Sequence, residues 1–131
     1  MFLDASAVIA IIAREGDAVA LAGRLRQAND VHTSPIAIYE TVLGLARLGQ
    51  TSIQDAQAVL DRFLGEIRAQ IMPISAEIGR GALSAFERYG RGRHPAALNM
   101  GDCFAYACAR ELDIPLLFKG DDFPLTDVTI A

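Results

Sequence analysis

Cysteine is scarce in this 131-residue chain: there are two, Cys103 and Cys108. Lying five positions apart on one predicted helix, they point to different faces and match neither a CxxC pair nor a disulfide staple. Buried, reduced thiols of a cytosolic protein are the expectation. Proline is sparse as well, and no low-complexity stretch, linker or internal repeat interrupts the sequence, which excludes a disordered or fibrous chain. Long apolar runs are missing. The run Ala7 to Ala13 falls far short of a membrane span and is preceded by Asp4 rather than by Lys or Arg, so neither a spanning helix nor a signal peptide is expected and the chain is assigned to the cytoplasm. An excess of positive charge is lacking too. The formal net charge is −4 and the pI about 5.0, which argues against loose binding to nucleic acid or anionic membrane through bulk charge. A polyanionic substrate would need a local positive patch or bound cations.

What is present is a chain 52% hydrophobic and 21% charged, long enough to bury a real core as one domain over residues 1–131. Met1 to Leu3 read as a first strand ending at Asp4. Ser6 is placed to cap a helix through about Ala13, and Gly16-Asp17 restart a second with Val19, Leu21 and Leu25 as apolar positions. Val31 to Thr33 form a weak second strand. Ser34-Pro35 open a third helix that Gly49 closes, and Thr51-Ser52 open a fourth with an apolar stripe of Ile53, Ala56, Leu60, Phe63, Leu64 and Ile67. Ile71 to Ile74 read as a third strand, and Ala76 to Tyr89 as a helix with Ile78, Ala82, Phe86 and Tyr89 on one face. Gly90 to Pro95 form a basic loop. A turn at Met100-Gly101 precedes a helix opening at Asp102, with Phe104, Ala107, Cys108 and Leu112 at helical spacing. Leu116 to Phe118 make a fourth strand and Val128 to Ile130 a possible fifth at the edge. Short apolar strands alternating with helices predict a three-layer α/β/α sandwich around a mainly parallel, four- to five-stranded sheet.

In such sheets ligands sit beyond the carboxyl ends of the strands, where Asp4 and Asp122 fall. Asp102 stands at the mouth of a buried helix, where an ordinary first-turn acid would also stand. Glu40 is the most informative acid. Its neighbours one turn away are Ile36, Ala37, Leu43 and Gly44, so its carboxylate is costly unless it is paired with Arg47, exposed at the helix edge or coordinating. Asp121-Asp122 follow the apolar run Pro115 to Phe118. Carboxylates converging to about 4 Å would repel by about 4 kcal/mol per pair at an effective dielectric of 20, and such a cluster persists only with protons or a bound cation. Hard oxygen donors without a His or Cys cluster favour Mg²⁺ or Mn²⁺ over Zn²⁺, and Mg²⁺ held this way predicts phosphoryl transfer to water.

These residues resemble the PIN-domain ribonucleases, and within them the VapC-type toxins of bacterial toxin–antitoxin pairs. The resemblance runs through Phe2-Leu3-Asp4-Ala5-Ser6-Ala7, Tyr39-Glu40, Tyr89-Gly90-Arg91-Gly92-Arg93-His94, Leu98-Asn99-Met100-Gly101-Asp102-Cys103, Leu116 to Phe123 and Thr126-Asp127. It implies that Asp4, Glu40, Asp102 and Asp122, with Asp121 as the alternative fourth acid, are catalytic and metal-holding positions, with Ser6 supporting the first aspartate. It further implies Mg²⁺- or Mn²⁺-dependent endonucleolytic cleavage of RNA, neutralisation by a VapB-type antitoxin, and a homodimer. Arg91, Arg93 and His94 are candidates to grip RNA phosphates just before the Asp102 turn, against a solvated loop. Asn99 is a candidate to position RNA or brace the acids.

Two other readings compete. A small phosphatase with Asp4 as nucleophile lacks the Asp-x-Asp pattern of that chemistry, because position 6 is Ser. A non-catalytic, metal-dependent protein-binding module would use Ile11, Ile12, Leu45 and Leu48 as a groove for an amphipathic partner helix. Gly79-x-Gly81 and Gly90-x-Gly92 lack the lysine or strand context of phosphate loops.

Overall fold

A computed structural model describes all residues, 1–131. Four two-residue strands, β1 (Phe2–Leu3), β2 (His32–Thr33), β3 (Gln70–Ile71) and β4 (Leu116–Leu117), form one sheet in the order β3-β2-β1-β4. All pairings are parallel, with Phe2 opposite His32 and Leu116, and Leu3 opposite Leu117. Six helices connect them: α1 (Ala5–Ile12), α2 (Ala18–Leu25), α3 (Pro35–Gly49), α4 (Ile53–Glu66), α5 (Ala76–Tyr89) and α6 (Met100–Glu111), followed by a 3₁₀ turn at Phe123–Leu125. No helix is long and apolar enough to cross a membrane.

The strand period of two sorts the core into two layers. Phe2 and Leu116 belong with the residues of α5 and α6, while Leu3 and Leu117 belong with those of α1 to α4. All four are essentially inaccessible to solvent. That alternation makes the sandwich, as the strand–helix pattern predicted.

Serine hydroxyls set three helix starts by accepting backbone N–H groups: Ser34 from Ala37 at 3.2 Å, Ser52 from Asp55 at 3.0 Å and Ser75 from Ile78 at 3.2 Å. Two expected starts move. The cap of α1 is Asp4, not Ser6, because a carboxylate two residues earlier already accepts the Ser6 amide. Likewise α6 begins at Met100 with Asn99 as its cap, so Asp102 is the third helical residue and not the first. Gly49 is the last residue of α3, and Gln50 supplies the left-handed cap at φ 49°.

Other departures have equally local causes. The third strand starts one residue early, at Gln70, whose amide bonds the Val31 carbonyl, and ends at Ile71. The fifth strand shrinks to a single parallel bridge between Leu116 and Ile130. Val19 and Phe86 are exposed. In α2 the pair Leu21 and Leu25 takes the inner face, and in α5 the buried set drifts to Ile78, Ala82, Ala85 and Tyr89 as the 3.6-residue period requires. On α4, Ala56, Leu60 and Leu64 are buried while Ile53 is exposed.

The chain moves outward from β1 through β2 to β3, then returns to place β4 on β1's other side. The strand order therefore reverses between β1 and β4, where a ligand crevice is expected.

Leu60 packs in the α1–α4 layer at 1% exposure, whereas its neighbour Val59 is 48% exposed. Leu60→Ala is expected to lower the unfolding free energy by roughly 2–5 kcal/mol, and Val59→Ala by about 0.5 kcal/mol or less, measured by urea denaturation.

Candidate metal centre

Asp4 leaves the end of β1 with its amide bonded to the Leu117 carbonyl of β4 at 3.0 Å, so the pairing that builds the sheet also places this acid. Its side chain is 4% exposed. Oδ2 accepts the Ser6 amide at 2.9 Å and a short bond from the Ser6 hydroxyl. That hydroxyl in turn accepts the Lys119 amide, just past β4, at 2.9 Å. Ser6 thus supports Asp4, as expected, and also ties it to the strand across the crevice. Burial raises the Asp4 pKa above the ordinary carboxylate value, and the Ser6 and Ala5 bonds pull it part of the way back.

Asp102 is held by a reciprocal cap: its amide donates to Asn99 Oδ1 at 3.0 Å, and its Oδ2 accepts the Asn99 amide at 2.9 Å. Oδ1 has no hydrogen-bond partner. Asn99 therefore braces an acid, one of the two roles expected for it. The Asp102 pKa is pushed up to about 6, first by burial and then by the charges of Asp4 and Asp122, against the opposing Asn99 amide and the positive charge of Arg91. Of the two candidate fourth acids, Asp122 and not Asp121 is the one whose charge reaches Asp102.

Glu40 projects from α3 toward the first turn of α6. A Cβ built on Gly101 would overlap the Glu40 carboxylate, so any larger residue there would push this side-chain end aside. The proposed partner Arg47 does not bond it, and no hydrogen bond reaches it. Its pKa is pushed up to about 7 by burial, then by Asp4 and Asp102. Three acids from β1, α3 and α6 thus repel one another in a half-desolvated crevice, with Asp122 at its rim.

As placed here, no three of these side chains lie close enough together to hold a metal ion. The donor set nonetheless fits a hard divalent cation. All four donors are carboxylates, nothing offsets the repulsion at Glu40, and Glu40 sits in a notch that a Cβ would fill. Soft ligation is not on offer: burial, then Asp102, push the adjacent Cys103 thiol up to about 11, so it stays protonated. Glycine at position 101 is the residue sequence reasoning missed. No linear signal marks it, because the approach of Glu40 to Gly101 exists only once α3 and α6 have packed.

The basic loop is partly committed. His94 Nδ1 accepts the Ala96 amide at 3.1 Å, and its ring stands edge-on to Tyr89 at 5.2 Å. The Arg93 guanidinium lies 5.7 Å over the Phe86 ring. Arg80 and Arg88 are paired with Glu77 and Asp127. Arg91 has no ion-pair partner and is the basic residue that acts on Asp102.

The PIN domain family profile matches residues 1–128. The chain is 40% identical to a ribonuclease VapC of Mycolicibacterium smegmatis, over 98% of this chain and 97% of the relative. It is 38% identical to a VapC ribonuclease of Rhizobium meliloti, over 97% and 98%, and 36% identical to ribonuclease VapC42 of Mycobacterium tuberculosis, over 100% and 98%. The fold is that of the crystal structure of Mycobacterium tuberculosis VapC20, described as a toxin cleaving the sarcin-ricin loop: the TM-score is 0.79 at 18% identity, covering 99% of this chain and 97% of that one. A parallel sheet whose switch point gathers Asp4, Glu40 and Asp102, matched over nearly its whole length by these relatives, makes the chain a PIN-domain protein of the VapC ribonuclease family.

Proposed function

We propose that this chain, as one PIN-like unit over residues 1–131, is a Mg²⁺-dependent endoribonuclease toxin, with Mn²⁺ as a substitute, acting in the cytoplasm. The observation that carries the reading is the set of mutually repelling, half-buried carboxylates around Gly101. Asp4, Glu40, Asp102 and Asp122 would hold the ion. Bound there, it supplies charge neutralisation at a phosphodiester and a more acidic water for in-line attack. The chain's own residues do the placing: Ser6 fixes Asp4, Asn99 fixes Asp102, and Gly101 gives Glu40 its room. Arg91 stands where an RNA phosphate entering over α6 meets a free guanidinium, with Arg93 and His94 shaping the same loop. Asp4, with one oxygen bonded twice to Ser6, is better suited to ligation than to nucleophilic attack, which disfavours a phosphatase.

Neutralisation by a VapB-type antitoxin is supported by an apolar groove between α1, α3 and α4. It is lined by Ile12, Leu45, Leu48 and Val59, and an amphipathic helix fits such a surface. Ile11 faces a different cleft, with Val31 and Phe63. A homodimer is supported by a second apolar face of Leu83, Phe86 and Met100, all exposed beside the acids.

Partner-free protein is expected to cleave RNA with Mg²⁺ or Mn²⁺ and to stop in excess chelator. Asp102→Asn is expected to lower cleavage by about 100-fold or more while the circular dichroism spectrum is kept. Cleavage that persists undiminished in chelator refutes the reading.

The raised carboxyl pKa values set the sign of the pH dependence. A folded-state pKa above the unfolded one means the folded protein holds the extra proton, so metal-free stability falls as pH rises between the ordinary 4.5 of Glu40 and its raised value of about 7. Thermal melts in chelator are expected to show this decline. Added Mn²⁺ is expected to raise the melting temperature more above this window than below it, because protons compete with the ion.

Leu48→Glu is expected to leave RNA cleavage intact and to abolish protection by the antitoxin, scored as growth on co-expression.

A further inference from the structure

Lys119 bridges the first turn of α1, through its backbone, and the turn that follows α1, through its ammonium. Its backbone amide donates to Ser6 Oγ at the helix's first turn. Its ammonium bonds Glu15 just past the helix's last turn, with Asp17 Oδ1 3.5 Å away. Asp17 Oδ1 is buried and has no hydrogen-bond partner of its own, so the ammonium is the charge that compensates it. The turn that presents these acids is built for the purpose: Arg14 takes a left-handed conformation at φ 56°, and the Glu15 amide returns to the Ala10 carbonyl at 3.0 Å. On the other side of Lys119 the chain swings through Gly120 at φ 118°, which glycine alone adopts freely, and reaches Asp122 two residues later. One lysine is thereby fixed at both ends of α1 and stands between Asp4, reached through Ser6, and Asp122, reached through the Gly120 turn.

We propose that Lys119 is a positioning residue of the metal centre: a strap along α1 that sets the distance between the first acid and the fourth. The inference rests on the reading of these acids as a cation site. A bystander lysine and a strap predict effects of opposite sign. Removing a positive charge near a cluster of carboxylates strengthens their attraction for a cation. Loosening the shell that orients the ligands weakens it, by about 10- to 100-fold in metal sites generally.

The test is Mn²⁺ binding to the purified full chain, followed by electron paramagnetic resonance of the free ion, with a melting curve for each variant. Lys119→Met is expected to weaken binding about tenfold, and Lys119→Arg to restore most of the loss. On a Ser6→Ala background, where the route to Asp4 is cut, Lys119→Met is expected to cost less than it does alone. Mn²⁺ bound as tightly or more tightly by a folded Lys119→Met overturns the strap and leaves the metal reading standing, as does full additivity with Ser6→Ala for the Ser6 route. If Lys119→Met melts early, Glu15→Gln with Asp17→Asn slackens the same strap from its far end, and unchanged binding there overturns it equally. Wild-type protein that binds no Mn²⁺ overturns both the strap and the metal reading.

Discussion

Repulsion between like charges, in a crevice too dry to screen it, is the constraint around which the molecule is arranged. Asp4, Glu40 and Asp102 come from the end of β1, α3 and α6; burial makes each harder to ionise, and the charge of Asp4 adds to this at Glu40 and Asp102. Such an arrangement costs stability in the absence of a cation, and the rest of the fold supplies the compensation. Two apolar layers hold the three elements in place, and the hydrogen bonds at the site go to orienting the acids. The Ser6 hydroxyl serves Asp4, and the Asn99 cap serves Asp102. Glu40 alone receives none, and its pKa is pushed up to about 7.

The same bonds do structural and chemical duty together. The Asp4 carboxylate is both the cap of α1 and a candidate ligand, and Asp102 completes a capping box while leaving one oxygen unbonded. An ordinary N-cap role and a metal role are therefore compatible for these residues. Helix starts are sites where backbone N–H groups point outward and favour anions, which lets the protein keep carboxylates ionisable at a place where burial opposes it.

Much of this was legible in the residues, for identifiable reasons. Helix α5 was bounded correctly because Ser75 precedes a clean 3.6-residue stripe that Gly90 ends. The parallel sandwich followed from short apolar strands alternating with helices, although β3 at the sheet edge faces solvent. The start of α6 was misplaced because an acid at the third helical position and an acid at the cap look alike in sequence, although Asn99 followed by Asp102 three positions on is a capping-box spacing. What no linear pattern contains is the approach of Glu40 to Gly101, sixty-one positions away in sequence, or the reach of Lys119 along α1. Both depend on how α3 and α6, and β4 and α1, settle against the sheet, which is decided by packing and not by local preference. That the charge of Asp122, and not that of Asp121, bears on Asp102 is likewise a tertiary outcome that no local pattern contains.

The strands themselves carry a consequence out of proportion to their size. Each is two residues long, and in β1 and β4 one side chain serves each layer, so nothing there is redundant. A slip of one position along β1 would send Phe2 into the space built for Leu3 and move Asp4 by about 3.3 Å. Strand alignment and the placement of this acid are thus read by the same few atoms. A chain that paired out of frame would bury the wrong side chain and draw Asp4 away from Glu40 and Asp102 at one stroke.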